Sequence, residues 1–140
     1  MRFLNNYSPF AATILRVTVG LILLAHGLPK LLIVGAFVDG TGAIVGQALK
    51  WPVGLGTIAV EVGAALFLVI GVKVRLAAFV SAVWFFGIAI VVHTLAHNDF
   101  WMIFNRDGSD SQSHFEFPFL IAVVCLAVSF LGAGRYGQDE

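Results

Sequence analysis

Arg16, His26 and Lys30 interrupt the apolar stretch "RVTVGLILLAHGLPKLL", and Glu61 stands alone in "IAVEVGAALF". His93 falls in a third apolar run, and Glu116 opens a fourth in "HFEFPFL". Side chains of these types form ion pairs, transfer protons and hydrogen-bond the carbonyl oxygens of a ligand. On a helix, Arg16 and Lys30 fall within about 40° of each other around the axis, and His26 joins Lys30 at i,i+4 spacing. One helix face therefore carries all three groups and is expected to point toward a shared interior. The chemistry implied is that of a polar site inside an apolar protein. It would pair charges across the interior or handle protons.

Such groups need elements to hold them, and composition says which. Of the 140 residues, 59% are hydrophobic and 11% charged, with a mean hydropathy of +0.95. A soluble domain carries roughly a quarter charged residues, so most of this surface is expected to meet the lipid bilayer. The length fits a single domain, 1–140. A net charge of zero argues against a nucleic-acid partner. The single cysteine, Cys125, excludes a disulfide framework, a CxxC redox pair and an iron–sulfur site within one chain.

Four apolar runs, about 9–34, 52–71, 76–97 and 115–132, come near the roughly 20 residues that a helix needs to cross hydrocarbon. They lack the alternation of strands, and in lipid the backbone must pair within each segment. The fold class predicted is therefore all-α, an integral membrane four-helix antiparallel bundle. The first run is longer than a signal peptide's apolar core and contains Arg16, so it reads as a retained span. Residues 35–51 and 98–114 become extracytoplasmic loops; part of the first, Gly-rich loop is expected to form a short interfacial helix, with Trp51 at headgroup depth. "GVKVR" is a tight hairpin. Arg2, Lys73, Arg75 and Arg135 lie on one side, Lys50 and Arg106 on the other, which places both termini in the cytoplasm.

Counting along these spans gives expected depths. Arg16 falls about 10 Å above the inner boundary, His26, Lys30, His93 and Glu116 near the outer one, and Glu61 near the middle. Two clusters result: an outer one of His26, Lys30, His93 and Glu116, with His97 and His114 as interfacial neighbours, and a deeper pair of Arg16 and Glu61. Arg16 and Lys30 also have stems long enough to reach headgroups, and outward extension is the expectation for Lys30. Glu61 does not, and an ionised carboxylate at that depth calls for a cationic or hydroxyl partner. Pro29 is expected to end or kink the first span and to free the carbonyl of Ala25. Gly56, Ala59 and Gly63 share a face of the second span suited to close helix packing.

"LRVTVGLILLAHGLPKLL", "VEVGAALFLVIGVKVRLAA" and "FEFPFLIAVVCLAVSFLGAGRYGQDE" together resemble the DoxX family. The first is similar to its arginine-bearing opening helix with a His-Gly-x-x-Lys-like end. The second is similar to its second-helix glutamate followed by an arginine-bearing turn. The third resembles its fourth helix and the closing Gly-Pro-Gly-Arg-Tyr-Ser-Leu-Asp motif, with Ala133 in place of the proline and Gly137-Gln138 in place of Ser-Leu. The resemblance implies a four-helix bacterial inner-membrane protein, with relatives that include the membrane subunit of thiosulfate:quinone oxidoreductase and others linked to oxidative stress or metal handling. By likeness, Arg16, His26, Lys30, Glu61, Arg75, His93 and Glu116 fall at its recurrent polar positions; Arg75, at the inner interface, is expected to anchor to anionic lipid.

The functional expectation is a membrane subunit or accessory of a redox system, with an intramembrane quinone- or proton-handling site built from Arg16, His26, Lys30, Glu61, His93 and Glu116. Electrons would come from a protein partner; a second copy of the chain is the other candidate partner. The alternatives are a non-enzymatic scaffold, a small transporter, or a haem- or metal-binding protein based on His26 and His93 with Glu116.

Overall fold

Long runs of Leu, Val, Ile and Ala, with polar breaks only where the chain turns, satisfy their backbone as helices. The computed structural model describes residues 7–96, 100 and 115–138. His97, His114, Arg2, Arg106 and nearly all of the 98–114 connection lie outside the described residues. Helix α1 runs Ser8–Leu32, α2 Val34–Val45, α3 Lys50–Ile70, α4 Val74–Ala96 and α5 Glu116–Leu131. A single 3-10 turn, Gly134–Tyr136, follows. No strand occurs among the described residues, and the protein is an all-α membrane protein. The helices α1, α3 and α4 are each long and apolar enough to cross a bilayer, whereas α5 has 16 residues.

Two expectations change at this level. Pro29 does not end α1, which continues to Leu32 before breaking at Ile33; the missing N–H costs one hydrogen bond, not the helix. The Gly-rich connection is mostly helical, as α2, and packs along the first half of α3 with Val38 seated on Gly54.

The core lies between α1, α3, α4 and α5, where Leu23, Leu68, Ala78, Ala122 and Cys125 are buried. The most extensive interface joins α4 to α5 through small side chains that let the backbones approach. Helix α1 meets α3 closely at Gly20 and Gly27; a methyl group on Gly27 would come within 2.7 Å of Glu61 Cβ and 2.8 Å of Val62 Cγ2. On α3, Gly56 accepts the Trp84 ring, as the small-residue face predicts, but among the described residues a Cβ on Gly63 would meet no atom within 4 Å.

Gly27 and Glu61 sharing one level fixes the axial offset of the two helices. From there α1 continues only to Leu32, about 8 Å, while α3 extends back to Lys50, about 16 Å. Helix α1 therefore stops short of the Lys50 end of α3, and α2 fills the space. Depth counted from the start of each span misses this offset.

At the other end, the tight hairpin turns at Gly71 (φ +89°), a left-handed position that suits glycine. The backbone there also pairs with the C-terminal segment: Gln138 N–H donates to the Gly71 carbonyl at 2.6 Å, and Lys73 N–H to the Gln138 carbonyl at 3.0 Å.

Candidate functional site

A cavity of about 250 Å³ opens between α1, α2, α3, α4 and the start of α5. His26 and Lys30 reach it from α1, Thr41 from α2, Thr57 and Glu61 from α3, and His93 from α4. Phe37, Phe85 and Phe117 supply much of the apolar wall.

Glu61 is buried, at 4% exposure, and forms an ion pair with Lys30. The Lys30 ammonium also lies 4.9 Å from the centre of the Phe37 ring, which adds a cation–π contact. A single uncompensated charge at this buried site would carry a large desolvation penalty, which an opposite charge beside it offsets. Lys30 therefore turns inward, not toward headgroups, and Glu61 takes its partner from the expected outer cluster and not from Arg16. The axial offset of α1 is the reason: it lowers Lys30 to within reach of Glu61.

His26 is exposed toward the cavity side of α1, and its Nδ1 lies 2.8 Å from the Ile22 carbonyl. A carbonyl oxygen only accepts, so Nδ1 carries the proton and Nε2 is the ring's remaining polar atom. The imidazole packs against Phe117 with centroids 5.1 Å apart. His93 lines the opposite wall.

Both α3 and α4 depart from α-helical winding where they reach this cavity. Residues Ala59–Ala64 and Ala89–Ala96 are π-helical, and they contain Glu61 and His93 respectively. Thr94 Oγ1 donates to the Ala89 carbonyl at 3.1 Å, five residues back, in keeping with the wider turn. Wider turns re-aim side chains and occur often at functional sites. Apolar periodicity carries no signal for them.

Arg16 occupies a separate site at the end of the fold away from the cavity. It is 2% exposed. Its Nη1 donates to the carbonyls of Leu68 (2.6 Å) and Val69 (3.0 Å), its Nε to Ala133 (2.8 Å) and its Nη2 to Tyr136 (2.8 Å). The last carbonyls of a helix lack intrahelical partners and carry partial negative charge, which a guanidinium satisfies with its planar fork. Arg16 thus ties α1 to the end of α3 and to the C-terminal segment.

Glu116 sits half-buried in the first turn of α5, where a carboxylate suits the helix dipole. The cavity wall takes Phe117 and Pro118 from this helix, not Glu116. Arg75 is exposed, and its Nη1 donates to the carbonyls of Ser129 (3.2 Å) and Phe130 (3.0 Å), joining α4 to the end of α5. Among the described residues, no three His, Cys, Asp or Glu side chains gather as a metal ligand set. The proposed grouping of His26, His93 and Glu116 as metal ligands is therefore not formed.

Sequence reasoning missed Thr57, whose i,i+4 spacing to Glu61 was a usable signal, and Thr41 and Phe37, which lie in the segment expected to be mostly loop. It also missed Trp84, whose Nε1 donates to Thr57 Oγ1 at 3.3 Å.

No curated protein and no solved structure matches the chain. A family model for DoxX matches residues 11–94, a stretch that holds Arg16, His26, Lys30, Glu61, Arg75 and His93. This match, added to the all-α membrane architecture and the motifs along the chain, establishes that the protein belongs to the DoxX family.

Proposed function

We propose that the protein is a four-span bacterial inner-membrane subunit of a redox system, with both termini in the cytoplasm, and that its cavity binds and protonates a quinone head. The observation that carries this reading is the Lys30–Glu61 ion pair, set in a cavity at mid-height of α3 beside His26 and His93. An ion pair placed there solely as glue could be replaced by packed apolar side chains at little cost in stability. A quinone gives such a pair a task. Its two carbonyl oxygens take up two electrons and two protons to become a hydroquinone. Lys30 donates a hydrogen bond to one quinone oxygen and passes it a proton as the electrons arrive; His26 Nε2, after taking up a proton from water, delivers the second proton to the other oxygen, and Glu61 relays a proton from water back to Lys30. The electrons come from a partner protein, the thiosulfate-oxidising type of system being the model that the family resemblance suggests.

The experiment is purification in mild detergent with co-purifying proteins, quinone analysis of the lipid extract, and quinone-linked turnover after reconstitution. The double variant Lys30→Met/Glu61→Leu keeps the fold and removes the charges. We expect it to lose bound quinone and at least tenfold in turnover. Unchanged turnover in the folded double variant overturns the reading.

A further inference from the structure

A groove of about 600 Å³ runs along the lipid-facing side of α4 and reaches α2 and the first half of α3. Its lining is apolar throughout, from Leu49 past Val83, Trp84 and Gly87 to Val91 and Leu95. Ile44, Val45, Val53, Ile88 and Val92 line both this groove and the polar cavity, so the two spaces are neighbours that share a wall. The volume is within the roughly 300–1,000 Å³ that small-molecule sites occupy.

Two details shape the groove. Gly87 lies in its floor, and a Cβ built there meets nothing within 4 Å. A larger side chain there would meet no clash and would occupy the groove. Trp84 stands at the junction. Its ring lies against Gly56, and its Nε1 donates to Thr57 Oγ1, which itself donates to the Val53 carbonyl at 2.8 Å. Trp84 lines the groove, Thr57 lines the cavity, and the hydrogen bond between them holds the indole at the boundary.

We infer that the ligand of the polar cavity is an amphiphile that enters sideways from the bilayer, with its linear apolar tail lying in the groove floored by Gly87. This rests on the cavity being a head site, as proposed above, and adds the chemical class of what is attached to the head and the route it takes. Between lipid and groove a tail gains little hydrophobic free energy, because both are apolar. The groove therefore acts by packing and direction: a head in the cavity leads its substituent out past Trp84.

The test uses the full chain in lipid nanodiscs and two probes: a benzoquinone with a ten-carbon tail ending in a photoreactive diazirine, and a fatty alcohol with the same tail. Crosslinks from the quinone probe are expected on Val83, Gly87, Val91 and Leu95 and to be displaced by excess untagged decyl quinone. Gly87→Phe should cut that labelling at least tenfold while the variant stays folded. If Gly87→Phe unfolds, Val91→Trp narrows the same channel one turn further on and should do likewise. Labelling spread evenly over the lipid-facing sides of α1, α4 and α5, or untouched in both variants, overturns the inference. Saturable, Glu61-dependent quinone binding whose tail labels elsewhere sinks the tail route alone and spares the head site. Equal, Gly87-dependent labelling by the fatty alcohol sinks the quinone head and keeps the tail groove.

Discussion

At the scale of single residues, the protein separates two ways of keeping a charge out of water. Arg16 is neutralised by dipoles, with carbonyls from α3 and from the C-terminal segment around its guanidinium. Lys30 and Glu61 are neutralised by each other. The two arrangements predict different responses. Glu61→Gln or Lys30→Met alone should destabilise the protein by about 3–5 kcal/mol, since the partner is left as an uncompensated charge. The Lys30→Met/Glu61→Leu double variant should return most of that stability, as read by thermal unfolding in detergent. A double variant as unstable as the singles would show that the pair is not coupled in this way. Arg16→Lys keeps the charge but has no planar fork to reach four carbonyls, so it should unfold at clearly lower temperature than the parent. A melting temperature unchanged in Arg16→Lys would contradict the clamp described for α1.

At the scale of elements, the site depends on how deeply α1 sits against α3. Gly27 permits the approach, with Glu61 and Val62 within 3 Å of where a side chain would begin. Gly27→Leu should push the helices apart, weaken the Lys30–Glu61 pair and reduce ligand binding in the cavity, while circular dichroism shows unchanged helix content. Retained binding would mean that the offset is not held at this crossing. Gly71 plays a different part, since a side chain there meets a left-handed backbone and the Arg16 guanidinium together. Gly71→Ala is expected to cost at least about 1–2 kcal/mol, with the loss appearing in thermal unfolding and not at the Lys30–Glu61 pair, Glu61 being about ten residues away along α3. The helical runs themselves were legible from apolar length alone. The π-helical turns at Glu61 and His93 were not, because one extra residue per turn leaves the apolar pattern nearly unchanged. Nor was the wall formed by α2, because its glycines look like loop until Val38 finds Gly54.

At the scale of the whole molecule, the exposed surface is largely Leu, Ile, Val and Phe, which suits acyl chains and not water. Orientation in the bilayer is read from the distribution of Lys and Arg. It can be checked with a membrane-impermeant maleimide on intact cells, after Cys125→Ala removes the native thiol. Cysteine introduced at Asp39, which is well exposed, should be labelled from outside, and cysteine at Lys73 only after the membrane is opened. The reverse pattern would invert the topology and move the cavity mouth to the cytoplasmic half.

What residue types and their order determined without help is the solvent and the secondary structure. Apolar runs of span length are helical because lipid offers the backbone no other partner, and DoxX-like motifs along nearly the whole chain agree with that. Glu61 needed a partner for the same reason. Which partner it took was decided by tertiary structure. Counting along the spans paired Glu61 with Arg16; the fold pairs it with Lys30 and gives Arg16 to the carbonyls at the end of α3. The difference lies in one quantity that no local pattern encodes, the axial offset between two helices. Contacts distant in sequence, Gly20 and Gly27 against α3, Val38 against Gly54 and Arg16 against Ala133 and Tyr136, set that offset together.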